Sequence, residues 1–130
     1  MSIKDREFIA YKGLRYTIEW YFTETGTSPA LDYYASLNKD QRLKLLYLFK
    51  RMGDFGKIND TTKFNNEGDK IFAFKPKPDR FLCFFERQGK LIITNAFCKK
   101  QKKLPKPEKE RALLYKENYE KRIKENIYYG

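Results

Sequence analysis

A chain of 130 residues has room for one domain with a buried core and little room for a second. Hydrophobic residues make up 41% of it and aromatic residues 17%. Intrinsically disordered chains lack such residues, so this composition favours a folded domain. The formal net charge is +11, and most of the excess lies in residues 70–103, with eight Lys and two Arg against two acidic residues. A localised basic segment points to a polyanionic partner, and a basic surface that only aids solubility is the alternative.

The chain has no apolar run of about 18 residues and no apolar signal segment after Met1, so we expect no membrane contact. Cys83 and Cys98 fall in predicted strands and make no disulfide framework, which suits a reducing cytoplasm. The chain contains no His, and its two Cys lack ligand spacing. We therefore predict no metal site, and no motif indicates a cofactor.

The first half of the chain predicts one strand and two helices. Apolar and polar residues alternate over residues 14–22, which is typical of a strand, and residues 1–13 before it form an N-terminal extension without a clear pattern. Ser28 followed by Pro29 predicts the start of a short helix. Asn38, with Gln41 three residues later, predicts the cap of a second helix that ends near Phe55. The two helices would form a helical hairpin.

The second half predicts a polar loop, three strands and a last helix. The loop covers residues 57–69, the strands 70–75, 80–87 and 90–97, and the helix 107–126. The order is then strand, helix, helix, three strands, helix, over a single domain of residues 1–130. This order predicts an α+β fold with a sheet of about four strands, mainly antiparallel.

The most specific motif follows the last predicted strand, where residues 95–105 are Asn-Ala-Phe-Cys-Lys-Lys-Gln-Lys-Lys-Leu-Pro. A helix containing Ala112 comes next. This segment resembles the signature of phage-derived HigB-like toxins in the RelE/ParE superfamily, which is Phe-x-Lys-Lys, a polar pair, Lys-x-Pro and a helix. The predicted order of elements over residues 14–122 also resembles that family, whose fold would be RelE-like.

The resemblance implies the toxin of a type II toxin–antitoxin system, an endoribonuclease that cleaves mRNA, usually at the ribosome. Its partners would be mRNA, the ribosome and a cognate antitoxin, a small helix-turn-helix protein. Two alternatives remain open at this point. One is a module of the same fold that binds RNA or the ribosome without cutting, and the other is a ParE-like inhibitor of DNA gyrase.

Cleavage by attack of the RNA 2′-hydroxyl needs a base, cations for the phosphate and an acid for the departing oxygen. Without His or a metal, Lys, Arg, Tyr and carboxylates must supply these groups, and a Lys among other cations has a lowered pKa. The catalytic candidates are Lys75, Arg80, Lys99, Lys100 and Lys103. The RNA-binding candidates are Lys77, Lys99, Lys100, Lys102, Lys103 and Lys106. Where the family commonly has Glu-x-Arg, this chain has Ala73 and Lys75, whereas Arg80 matches a family arginine.

Overall fold

The structure is a computed structural model that describes residues 7–100 and 103–130. The elements in chain order are β1 (Ile9–Lys12), β2 (Thr17–Trp20), α1 (Pro29–Ser36), α2 (Lys39–Phe55), β3 (Phe64–Asn66), β4 (Phe72–Phe74), β5 (Asp79–Glu86), β6 (Lys90–Cys98) and α3 (Lys106–Lys124).

The strands of the described residues form one six-stranded sheet in the order β1-β2-β6-β5-β4-β3. The pair β2–β6 is parallel and the other neighbours are antiparallel, so the sheet is mixed. Helices α1 and α2 pack on one face of it and α3 packs on the other. The α1–α2 hairpin carries the chain away from β2, which lets β2 lie parallel to the last strand instead of pairing with the next one.

The prediction of an antiparallel sheet of about four strands is therefore wrong, although the fold is α+β. Two strands were missed, β1 inside the predicted N-terminal extension and β3 inside the predicted loop. They span four and three residues, which is too short for alternation to be recognised. The parallel pair was missed because it joins residues that are far apart in the sequence.

A tight turn joins β1 to β2 and makes β2 shorter than the predicted strand of residues 14–22. The Gly13 N–H donates to the Tyr16 carbonyl at 2.9 Å, and Leu14 is 90% exposed in the turn. A Cβ on Gly13 would lie 2.2 Å from the carbonyl carbon of Gly53 in α2, so the turn needs glycine there. The Gly53 carbonyl accepts from the N–H of Arg15, which fixes the turn on α2.

Both helices of the hairpin begin where the sequence predicts. Pro29 is the first residue of α1. The Asn38 side chain accepts from the Gln41 N–H at 2.9 Å, which caps α2. Gly56, with φ of 81°, ends α2 in the left-handed conformation that glycine favours.

Helix α3 covers the other face and is held by the residues that follow it. Tyr128 is buried, and its hydroxyl accepts from the Phe22 N–H at 2.9 Å. Arg122 is also buried, and it donates to the Phe22 carbonyl at 2.8 Å. Residues on both faces of β2 are buried, with Ile18 and Trp20 on one face and Glu19 on the other. Over residues 7–100 and 103–130, no helix is long and apolar enough to cross a membrane.

Candidate active site

Three basic side chains meet where β4 ends, β5 begins and β6 ends. The register of β5 and β6 pairs Arg80 with Phe97, and continuing the β4–β5 register by one residue places Lys75 opposite Arg80. Lys99 continues β6, since its N–H donates to the Pro78 carbonyl at 2.9 Å. Phe97 belongs to the core on the α3 side, and strand side chains alternate between faces. Lys75, Arg80 and Lys99 therefore share the α3 side of the sheet.

Lys75 is the cation with the most unusual environment. It is half-buried, and its Nζ donates to the Thr61 carbonyl oxygen at 3.1 Å. Burial lowers the pKa of Lys75, and the nearby charges of Arg80, Lys99 and Lys77 lower it further. A lysine in this setting holds its proton less tightly than an exposed lysine, and it can exchange that proton with a ligand.

Glu67 is the carboxylate of this cluster, and it was not a predicted site residue because it lies in the predicted loop of residues 57–69. The Glu67 N–H donates to the Ile71 carbonyl at 2.8 Å, which continues the β3–β4 pairing by one residue. Its negative charge raises the pKa values of both Lys75 and Arg80 against the effect of burial. No local signal indicates Glu67, because the strand Phe64–Asn66 just before it is too short for alternation to be recognised.

Arg80 is half-buried, and a backbone carbonyl accepts a hydrogen bond from its guanidinium. Its Nη1 donates to the backbone carbonyl of Asp79 at 2.9 Å. Its Nε is buried and has no hydrogen-bond partner among the residues that the structure describes. Burial lowers the pKa of Arg80, while the carboxylates of Glu67 and Asp79 oppose that effect. An arginine keeps its charge at physiological pH even so, and its planar donors fit the oxygens of a phosphate.

Asp79 supports the cluster from the opposite face of the sheet and was not a predicted site residue. It is only 2% exposed, and its Oδ1 accepts from the Tyr33 hydroxyl at 2.6 Å. Burial, followed by this hydrogen bond, raises the pKa of Tyr33, so the hydroxyl stays a donor. The pair ties the start of β5 to α1 and so holds Arg80 in place.

The remaining predicted residues lie along the chain segments that leave the cluster. Lys77 is exposed in the turn between β4 and β5, and Lys100 is exposed just after β6. Lys103 and Lys106 are exposed near the start of α3. Lys102 lies outside the described residues. The structure therefore brings Lys75, Arg80, Lys99 and Lys77 together, while Lys100, Lys103 and Lys106 are surface residues.

The start of α3 is fixed beside this cluster by a buried amide. The Asn95 Nδ2 donates to the backbone carbonyl and to Oε1 of Glu108, each at 3.1 Å. Lys109 of α3 forms an ion pair of 2.8 Å with Asp69, in the turn that follows Glu67. In the described part of the chain, no group of three or more His, Cys, Asp or Glu side chains is arranged to hold a metal ion.

A family model described as Phage derived protein Gp49-like (DUF891) matches residues 32–117, which is more than half of the chain. The chain belongs to this family. The Gp49-like family is phage-derived and RelE/toxin-like, and the matched region contains all of the site residues named above. The match begins inside α1, so β1 and β2 lie outside it. A comparison with curated proteins found no match.

Proposed function

We propose that this Gp49-like protein is the toxin of a type II toxin–antitoxin system and acts as a metal-independent endoribonuclease of the HigB-like kind. The observation that carries the proposal is the environment of Lys75, whose pKa is lowered beside Arg80 and Lys99. A lysine whose pKa is lowered by burial and by neighbouring cations is a candidate for a catalytic group. The phage-derived, toxin-like family supports the same function.

In the proposed reaction Lys75 takes the proton from the RNA 2′-hydroxyl, which then attacks the adjacent phosphate. The lowered pKa of Lys75 increases the fraction of neutral amine that can accept this proton. The P–O5′ bond breaks as the 2′-oxygen bonds to phosphorus. The products are a 2′,3′-cyclic phosphate and a free 5′-hydroxyl.

Arg80 and Lys99 act on the charges that this reaction develops. Arg80 carries a planar, charged guanidinium beside Lys75, and stabilising the charge of the phosphate oxygens is its proposed role. Lys99 is half-buried next to Lys75 and would give a proton to the departing 5′-oxygen. Lys77, Lys100, Lys102, Lys103 and Lys106 would contact RNA phosphates along the strand.

The proposed partners follow from this role. The substrate is mRNA on the ribosome, which places the protein in the cytoplasm. The cognate antitoxin, a small helix-turn-helix protein, would cover the basic site and so stop cleavage.

A second candidate is an RNA- or ribosome-binding module that does not cut. The residue that favours it is Ala73, which is buried and has no carboxylate. The HigB-like toxins that this chain resembles commonly have Glu at that position. The chain also has no His. The same cations would then serve for binding alone.

The test is to incubate the purified protein with mRNA, with and without ribosomes, in the presence of EDTA, and to map the RNA ends. We expect cuts that end in a 2′,3′-cyclic phosphate. The variant in which Lys99, Lys100 and Lys103 are all changed to Gln should bind RNA less tightly. The slope of log affinity against log salt should also fall by about 2, because each lost contact to single-stranded RNA removes about 0.7. Lys121→Gln, an exposed change on α3, is the matched control.

The outcomes separate the candidates. RNA that is bound but uncut in both conditions favours the binding module. If RNA is neither cut nor bound and supercoiling by gyrase is inhibited, the protein acts like ParE and the RNA proposal is wrong.

A further inference from the structure

A groove lies on the α2 side of the molecule, next to the candidate active site. It encloses about 490 Å³ between α2, the segment of residues 58–63 and the turn at Pro76 and Lys77. Its floor is apolar, with Leu48 and Ile58 both buried. Four exposed cations line it: Lys44, Arg51, Lys63 and Lys77.

An aromatic ring stands open to solvent in this groove. Tyr47 is 60% exposed, although it lies on α2 among residues that pack into the core. The Arg51 guanidinium carbon lies 6.0 Å from the centre of the Tyr47 ring. An exposed ring bordered by cations is the arrangement with which proteins stack a nucleobase and hold its phosphate.

The groove is continuous with the candidate active site. Lys77 lines the groove and is also close enough to Lys75 to lower its pKa. The Thr61 carbonyl that accepts from Lys75 belongs to the segment that forms one wall. A single nucleic-acid strand that crosses the end of the sheet would therefore meet Arg80, then Lys77, and then the groove.

The two carboxylates of the groove leave its charge positive. Asp60 accepts from the N–H and hydroxyl of Thr62, and these bonds, with the charges of Lys63 and Lys77, keep the pKa of Asp60 low. Its charge is therefore offset by two of the four cations. Asp40 lies in the first turn of α2, where the helix dipole favours a negative charge.

We propose that this groove binds the single-stranded RNA that flanks the scissile phosphate, with one base stacked on Tyr47 and phosphates on Lys63 and Lys77. The inference rests on the proposed function and adds a second subsite to it. The alternative occupant is an amphipathic segment of a protein. The row of cations and its continuity with the cluster at Arg80 favour RNA, because a phosphate chain has the same charge at every nucleotide.

The experiment measures the affinity of a 4-nucleotide and a 16-nucleotide single-stranded RNA of uniform uridine by fluorescence anisotropy at several salt concentrations. Arg80→Met is the background for every variant, so that the RNA stays intact. Tyr47→Ala should weaken binding of the long RNA about tenfold or more, because base stacking on an aromatic ring is lost. It should leave the short RNA unaffected. Tyr47→Phe keeps the ring and should restore the affinity.

Two further variants test one cation of the groove and provide a control. Lys63→Gln should lower the salt slope for the long RNA by about 0.7, the value of one phosphate contact. Phe55→Ala removes another exposed aromatic residue of α2 that does not line the groove, and it should change nothing.

Unchanged affinity and slope for the long RNA in Tyr47→Ala and Lys63→Gln would overturn the groove assignment. The proposed function can fail separately. If the parent protein neither cuts nor binds either RNA, the RNA proposal is lost as a whole. If the unsubstituted protein cuts RNA and the groove variants bind RNA as tightly as Arg80→Met alone does, only the groove assignment is lost.

Discussion

The α3 face of the sheet carries a charged cluster at each end, and the two are built in opposite ways. The paired end consists of Glu19, Lys90, Arg122 and Tyr129. Glu19 is only 4% exposed, and it accepts from the Tyr129 hydroxyl at 2.6 Å and lies 3.5 Å from the Lys90 Nζ. Arg122 donates to the Phe22 carbonyl and to the Asn118 side chain. The charged groups at this end have polar partners.

The open end consists of Glu67, Lys75, Arg80 and Lys99, and its cations have fewer polar partners. The Lys75 Nζ donates to a backbone carbonyl, and the Arg80 Nε has no partner in the described part of the chain. Partly buried charges without partners cost free energy unless a ligand supplies the missing contacts. The paired end therefore stabilises the fold, while the open end is the site at which we propose that an anionic ligand binds.

Arg80→Met tests the open end and has the largest expected effect. We expect the single-turnover rate of RNA cleavage to fall about 10²–10³-fold, because a fixed donor to the developing phosphate charge is lost. The free energy of unfolding should change by no more than about 1 kcal/mol, because Met fills the space without a buried unpaired N–H. Quenched-flow cleavage and urea unfolding measure the two quantities.

Arg87→Met is the matched control, since Arg87 is exposed in the turn between β5 and β6. It should leave both cleavage and unfolding unchanged. If Arg80→Met destabilised the protein by several kcal/mol, Arg80 would be a structural residue and the contrast between the two ends would be lost.

Arg122→Met tests the paired end. We expect the free energy of unfolding to fall by about 3 kcal/mol, because the buried carbonyl of Phe22 loses its donor and the end of α3 loses its tie to β2. RNA cleavage by the folded fraction should keep its rate. Lys121→Met, next to it on the exposed side of α3, should cost less than about 0.5 kcal/mol.

An equal loss of stability in Lys121→Met would show that the effect comes from the helix surface and not from the buried contact. A loss of cleavage in folded Arg122→Met would show that the two ends are coupled through α3.

The two ends also differ in how far the sequence could predict them. Lys75 and Arg80 flank a turn rich in proline, so their proximity follows from a local pattern, and their role stays a prediction. Glu67 lies close to Lys75 and Arg80 only because the three-residue strand β3 pairs with β4. The paired end depends on contacts such as that between Tyr129 and Glu19, which are 110 residues apart. No local pattern indicates such a contact.

The difference between local patterns and contacts of distant residues also explains which parts of the fold could be predicted. Pro29 as the first residue of α1, the Asn38 cap and Gly56 are local signals, and the helices begin and end there. The six-stranded mixed sheet depends on two very short strands and on one parallel pair that joins distant segments. These features are decided by tertiary packing, as with β1, which is fixed by the close approach of Gly13 to α2.

Glu67→Gln removes the carboxylate of the open end. The charge of Glu67 raises the pKa of Lys75, so its removal should lower that pKa further. If neutral Lys75 is the base, cleavage is lost as pH falls through the pKa of Lys75. The acid limb of the rate profile should then move to lower pH in Glu67→Gln, with a similar rate on the plateau. The measurement is single-turnover cleavage as a function of pH.

Asp69→Asn is the control, because Asp69 lies two residues further along the same turn and pairs with Lys109 rather than Lys75. It should leave the acid limb where it is. A limb that moves to higher pH would contradict the assignment of Lys75 as the base, since loss of a neighbouring negative charge cannot make a lysine hold its proton more tightly. A rate that collapses at every pH would instead make Glu67 the group that takes the proton, because Gln keeps the shape of Glu but cannot accept it. The open end would then still be the site of cleavage, with Lys75 as one of its phosphate-binding cations.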